Sequence, residues 1–388
     1  MKLTKIYKDF FSSEKTGGLL LLAATFLSLI LSNSSWGEVY TGFWQIKTGG
    51  HTLVHWINDG LMAIFFLLIG LELEREIYNG ELSKIKNASL PFSGAIGGMI
   101  VPAAIFLLFN FGTNSQSGAG IPMATDIAFA VGILSLLGNR VPSSLKVFLT
   151  TLAVVDDIGA ILIIAIFYSK SISVTYLLLV FVVMGILFIF NKLKVYKLVP
   201  YLIGGVLMWY FMLHSGVHAT ITGILLAFVI PFGDGSAKSI SNKLEHFLHK
   251  PVAYIILPIF ALANTSIALT TGWYENLLDY SSLGIILGLV IGKPVGIFTF
   301  TYLASLLKIA ILPRELNWRN IIGSGFLAGI GFTMSIFITL LAFEDIQLID
   351  NSKVAILVAS AIAGITGLAI LFMTLKKKYT LEEESDEN

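Results

Sequence analysis

The chain has 388 residues, of which 56% are hydrophobic and 13% charged; it has no cysteine, and its formal net charge is +1 at pH 7. An ordinary soluble domain carries about 25% charged residues, and a globule of this composition has too few polar side chains to cover itself. These figures exclude a disordered chain, a disulfide scaffold, a thiolate metal site and bulk-charge binding of nucleic acid, and they make lipid the solvent for most of the sequence.

A membrane-crossing helix needs roughly 20 mostly apolar residues. On that measure the sequence predicts an all-α membrane protein of twelve spans, near 17–33, 53–72, 88–111, 121–137, 144–168, 175–190, 198–213, 216–231, 251–270, 281–305, 321–343 and 354–375. The connections are short, so the chain reads as one transmembrane domain over 1–388, with a charged tail at 376–388 that is acidic from Glu382 to Asn388. The first span also has the basic start and short apolar core of a signal peptide, but removing it would spoil the charge pattern of the loops that follow. With the N-terminus inside, 21 of the 25 Lys and Arg residues fall on the inner side, among them Lys2, Lys5, Lys8, Lys84, Lys86, Lys238 and Lys376 to Lys378. Lys47, Lys170 and Lys353 fall outside and Lys293 falls within a span. This is the bias of the positive-inside rule, with both termini cytoplasmic. Between the first two spans, Phe43-Trp44-Gln45-Ile46 and His51-Thr52-Leu53 flank Thr48-Gly49-Gly50. That is the spacing of a small external hairpin, too small to stand alone and suited to pairing with a second copy; an irregular loop fits the same residues.

Further along the chain, four ionisable residues fall where lipid should surround them: Asp126, Asp156, Asp157 and Lys293. A charge at a helix centre costs about 2.5 to 3.5 kcal/mol on the insertion scale, so such groups point to ion or proton pathways. A structural polar cluster that only holds helices together is the plainer reading, and for Lys293 it takes the form of a cation neutralising the acids. Helix neighbours are rotated by about 100°, so Asp156 and Asp157 cannot both face one cavity. One can meet an ion while the other turns toward Lys293. Carboxylate oxygens suit both a hard monovalent cation and a proton.

Two spans read as interrupted. The fourth, with Asp126, follows Ser117-Gly118-Ala119-Gly120 and contains Pro122; the eleventh runs Ala328-Gly329-Ile330-Gly331-Phe332-Thr333-Met334-Ser335. Glycines also serve close helix packing in membranes. The matching placement of the two breaks is more telling: each lies centrally in a three-span unit, 88–168 and 281–376, and these units start on opposite sides. Such units form an inverted repeat, and paired interruptions mark a transporter site. Helix termini at the breaks carry partial charges that Asp126 and Lys293 can offset. The histidines form no zinc pattern; His246 and His249 lie three apart beside Glu245, placed either as a pH sensor or as a solvated helix end.

The motifs Trp56-Ile57-Asn58-Asp59, Ala124-Thr125-Asp126-Ile127-Ala128, Asp156-Asp157-Ile158-Gly159, Ser215-Gly216-Val217-His218-Ala219-Thr220, Leu244-Glu245-His246, Ile291-Gly292-Lys293-Pro294 and Gly329-Ile330-Gly331-Phe332-Thr333 occur in that order. With them the chain resembles the NhaA family of bacterial Na+/H+ antiporters over nearly its whole length. The resemblance implies an inner-membrane protein with two crossed, discontinuous helices at the fourth and eleventh spans. It implies a Na+ or Li+ site on Asp156 and Asp157, with Asp126 and Thr125 nearby and Lys293 stabilising the assembly. It also implies a cytoplasmic pH-sensing cluster at Glu72, Arg75, Glu76, Glu245 and His246, with His249 adjacent, and a homodimer formed through the external hairpin near 40–53. Glu74, where relatives carry a basic residue, and Asn242-Lys243, where they carry two, make this cluster more acidic, so the activation pH does not carry over.

The function expected is pH-regulated, electrogenic exchange of cytoplasmic Na+ or Li+ for protons at one site, with no enzyme chemistry and no cofactor beyond the transported ions. A channel with an acidic filter ring would instead pass uncoupled currents. A proton-coupled symporter for an organic solute would need a roomier aromatic and amide pocket, and no such cluster accompanies Asp126 or Asp157.

Overall fold

The computed structural model describes residues 2–83, 85–168, 172–233, 235–236, 239–269 and 272–375, with the backbone alone at 2–14 and 85–87. Expectations for Lys84, Lys170, Lys238, Lys376 to Lys378 and the tail 382–388 lie outside the described residues, as do the side chains of Lys2, Lys5, Lys8 and Lys86. Helices dominate. In chain order they begin with α1 (Lys2–Ser32), α2 (Gly37–Trp44), α3 (Leu53–Tyr78) and α4 (Ile85–Asn110). A 3-10 helix at Gln116–Met123 leads into α5 (Ile127–Ser135). Then come α6 (Ser143–Phe167), α7 (Val174–Lys192), α8 (Leu198–Leu213), α9 (Ile221–Val229) and α10 (Ile240–Asn264). The chain continues with α11 (Tyr280–Leu306), α12 (Trp318–Ala328), α13 (Phe332–Ala342) and α14 (Ile346–Thr374).

Among the described residues, nine helical segments are long and apolar enough to cross a membrane, and ten when α12 and α13, bent by 48° at their break, count as one. The difference from twelve lies in α8, with 16 residues, and α9, with 9. At 1.5 Å per residue α9 rises about 13 Å, less than half of a roughly 30 Å hydrocarbon core. Three long helices contain a π-helical stretch: Trp56–Leu61 in α3, Val252–Ile256 in α10 and Gly288–Gly292 in α11.

The hairpin is shorter than its sequence suggested, because Phe43 and Trp44 close α2 instead of extending as a strand. β1 (Lys47–Thr48) and β2 (His51–Thr52) pair antiparallel, with Lys47 opposite Thr52 and Thr48 opposite His51. The turn has φ of +63° at Gly49 and +88° at Gly50, which glycine adopts without the Cβ clash that other residues meet. The Trp56 Nε1–H donates to the Thr48 carbonyl at 2.8 Å and ties the hairpin to α3.

Apolar side chains project outward as well as inward, as a lipid-solvated bundle requires. α7 buries only Val180 and Leu187 and turns Leu178, Phe181, Val182 and Ile186 outward. The interior is held by close backbone approach. α4 packs on α11 so tightly that a Cβ at Gly97 or Gly296 would strike the carbonyl oxygen of the other glycine. α11 carries Lys293 from this interface toward Asp156 of α6.

Candidate functional site

The two interrupted segments bond to one another where their helices stop. Residues 124–126 leave the helical conformation between the 3-10 helix and α5, and residues 330–331 do so between α12 and α13. The Asp126 amide donates to the Ile330 carbonyl at 2.7 Å. The Asp126 carboxylate is 2% exposed and caps two helices at once. Its Oδ1 accepts from the Phe129 amide at 3.0 Å, the N-cap bond of α5, and its Oδ2 accepts from the Thr333 amide at 3.0 Å and hydroxyl at 2.5 Å at the start of α13. One negative side chain therefore sits on two positive helix ends, where capping and the helix dipole both favour it.

The carbonyl ends are satisfied by different groups. The Thr125 hydroxyl lies 2.9 Å from the Ala328 carbonyl, at the end of α12, and 2.7 Å from Asp156 Oδ2. The Lys293 ammonium donates to the Met123 carbonyl, at the end of the 3-10 helix, and pairs with Asp156 Oδ2 at 2.8 Å. Lys293 is fully buried and Asp156 is 1% exposed. Ser335 Oγ donates to the Ile121 carbonyl at 2.7 Å, which pins the two broken segments a second time.

Asp157, one residue along α6, points elsewhere. It is 1% exposed by area, and its Oδ1 has no hydrogen-bond partner. It lines a cavity of about 50 Å³ together with Asp126, Thr125, Thr333, Glu72 of α3 and His249 of α10. A water needs about 10–15 Å³ measured this way, so the cavity has room for a few waters or for a small partly hydrated cation. The lining supplies carboxylate and hydroxyl oxygens, which a hard monovalent ion prefers. The 100° turn between Asp156 and Asp157 thus separates their roles: the first holds a lysine and the second faces the cavity.

At the Glu72 end, Arg75 Nε meets Glu245 Oε1 at 2.8 Å, joining α3 to α10, and Arg75 Nη1 meets its neighbour Glu76 Oε1 at 3.1 Å. Glu74 is buried and accepts from the Ser241 hydroxyl at 3.2 Å. His246 is exposed, whereas His249, one helical turn on, is half-buried at the cavity wall. In the sequence Glu74 stands out only as a departure from its relatives, and no pattern points to its bond with Ser241. The carbonyls of Met123, Ala328 and Ile330 also escape any reading of side chains. They become available only because the helices break beside them.

Buried carboxylates at the meeting of two broken helices, with a small cavity beside them, place the molecule among secondary ion transporters. A family model described as Na+/H+ antiporter 1 matches residues 8–371. The chain is 62% identical to the Na+/H+ antiporter NhaA 1 of Flavobacterium johnsoniae, over 96% of this chain and 97% of that protein. It is 61% identical to the Na+/H+ antiporter NhaA of Cytophaga hutchinsonii, over 98% and 99%, and 45% identical to that of Vibrio campbellii over the full length of both. The chain belongs to the NhaA family of Na+/H+ antiporters.

Proposed function

We propose that this chain carries Na+ or Li+ out of the bacterial cytoplasm in exchange for protons, by letting both compete for the oxygens of Asp157 and its neighbours. The observation that carries this reading is the unpartnered Asp157 oxygen at the cavity wall beside Asp126, Thr125 and Thr333. A cation entering past Glu72 and His249 displaces protons from Asp157 and from the Asp156–Lys293 pair. The loaded site then closes to the inside and opens outward, where arriving protons expel the ion. Release of two protons per cation makes the cycle electrogenic. Coupling needs no chemistry beyond this competition, and no cofactor.

The same reading takes α8 and α9 as the seventh and eighth of twelve spans in the inner membrane, with both termini cytoplasmic. The broken fourth and eleventh spans cross, and 88–168 and 281–376 form inverted repeats; the reciprocal approach of Gly97 and Gly296 supports such a symmetry. Glu72, Arg75, Glu76, Glu245, His246 and His249 set the pH at which the inner entrance admits the cation. The hairpins of two protomers form a homodimer contact. The test is Asp157→Asn in reconstituted vesicles. Na+-dependent collapse of an imposed pH gradient should fall at least a hundredfold, and exchange at the parent rate would overturn the proposal.

A further inference from the structure

The cavity that Asp157 lines runs between α3 and α10. On α3 its wall is formed by Phe65, Leu68, Ile69 and Glu72, and on α10 by His249, Val252, Ala253 and Leu257. Glu72 and His249 mark the same end of the two helices. Passing along each helix away from that end, seven residues beyond Phe65 on α3 stands Asn58, and seven beyond Leu257 on α10 stands Asn264. At 1.5 Å per residue both lie about 10 Å past the cavity wall, on the side away from Glu72 and His249. They meet there: Asn58 Nδ2 donates to Asn264 Oδ1 at 3.2 Å, and Asn264 Nδ2 donates to Asn58 Oδ1 at 2.8 Å. Asn264 is 1% exposed, and its Nδ2 also reaches the Phe260 carbonyl at 3.0 Å. Between α3 and α10, Phe337 of α13 packs against Phe66 at 5.3 Å and Phe260 at 6.4 Å between ring centroids.

The surroundings tie each asparagine to a different group of helices. The end of α10 is bound to α1 and α2, since Ser28 Oγ and the Tyr40 hydroxyl both donate to the Leu262 carbonyl at 2.8 and 2.9 Å, and Asn33 Nδ2 donates to the Ile267 carbonyl at 2.9 Å. The end of α3 is bound to α8, where the Trp209 Nε1–H donates to the Asp59 carbonyl at 2.8 Å. Asn58 lies in the π-helical stretch Trp56–Leu61, a local geometry that often marks functional positions in helices.

We propose that the Asn58–Asn264 amide pair is the closure on the outer side of the cation site, and that it must part for the site to reach the second face of the membrane. The proposal rests on the transport reading above. A reciprocal amide pair is well suited to such a closure. It is self-satisfied when closed, and when opened each amide exchanges its partner for entering water. A carboxylate there would compete for the cation, and a purely apolar contact would offer nothing to a wet pathway.

Because the chain has no cysteine, Asn58→Cys/Asn264→Cys can be bridged without background by a short bis-methanethiosulfonate, whose disulfide links to both thiols a reductant cleaves. In proteoliposomes the cross-linked protein should exchange Na+ for H+ at least tenfold more slowly and recover on reduction, while calorimetry still detects Na+ binding in detergent. Undiminished exchange after full cross-linking, or a loss that reduction does not reverse, would overturn the closure. A second arm uses Asn58→Ala/Asn264→Ala carrying Met334→Cys at the cavity wall. An impermeant thiol reagent added from the outer face should label it at least fivefold faster than the Met334→Cys protein with both asparagines intact; equal labelling would overturn the proposal. Failure of the parent chain to exchange Na+ would instead overturn the transport reading, and the labelling arm would still report on the closure.

Discussion

Lys293 shows how a single side chain can hold this site together. Its ammonium is fully buried and answers to one carboxylate, Asp156, and one helix-end carbonyl, Met123. Removing one member of a buried pair leaves the other charge uncompensated and typically costs about 3–5 kcal/mol, whereas replacing both is often near neutral. Lys293→Met should therefore lower the melting temperature in detergent markedly, and Asp156→Asn placed on top of it should restore most of the loss. The sign with pH follows from what is left behind. In acid the orphaned Asp156 can take up a proton and shed its charge, so the single variant's deficit should shrink as pH falls and widen as pH rises. Equal deficits for the single and double variants in thermal unfolding would show that the pair is not the source. At this scale the sequence was informative because charges in an apolar run are visible without any structure: Asp126, Asp156, Asp157 and Lys293 stand out by their surroundings alone. What hydropathy cannot display is the partner. That Thr333 caps with Asp126, or that Lys293 reaches the Met123 carbonyl, depends on a contact between segments about 170 to 207 residues apart.

Among the helices, the contact between α4 and α11 is set by backbone, not by side-chain volume. Gly97 and Gly296 face each other so closely that a methyl on either would meet the opposing carbonyl, and in both cases the obstacle is main chain that cannot swing aside. Overpacking of a tight interior typically costs about 1–3 kcal/mol, and here relief requires moving α11, which carries Lys293. Gly97→Ala should lower thermal stability by that amount and also reduce exchange, because the displaced lysine no longer meets Asp156 squarely. Gly185→Ala in α7, where no atom lies within 4 Å of the added carbon, is the matched control and should leave both properties near the parent. The spacing of apolar runs located most of these helices, and it suggested interruptions near Pro122 and in the Gly329–Gly331 stretch. It did not reveal the three π-helical stretches or the short helix α2. An i→i+5 hydrogen bond changes neither hydropathy nor its period, and the aromatic residues of Phe43-Trp44 suit a strand as well as a helix. α8 and α9 were likewise indistinct in length, since an apolar stretch carries no mark of how many of its residues are helical.

For the molecule as a whole, the consequence that separates this arrangement from a simple carrier is electrical. In the proposed cycle one cation replaces protons on a site where Asp157 faces the cavity and the Asp156–Lys293 pair lies beside it. If two protons leave for each Na+ bound, one net charge moves inward per cycle. A potential of 100 mV acts on that charge with about 2.3 kcal/mol, which corresponds to a roughly fiftyfold change in the Na+ gradient the exchanger can sustain. In proteoliposomes clamped with a potassium ionophore, the Na+ and H+ gradients at which net flux vanishes should therefore shift with the imposed voltage. The direction is set by the sign of the moved charge: a cytoplasm-negative potential draws the extra proton inward and helps Na+ leave. If those gradients stay fixed while the voltage changes, exchange is one for one. The second proton then has no place in the cycle, and Lys293 is left with only its structural role beside Asp156.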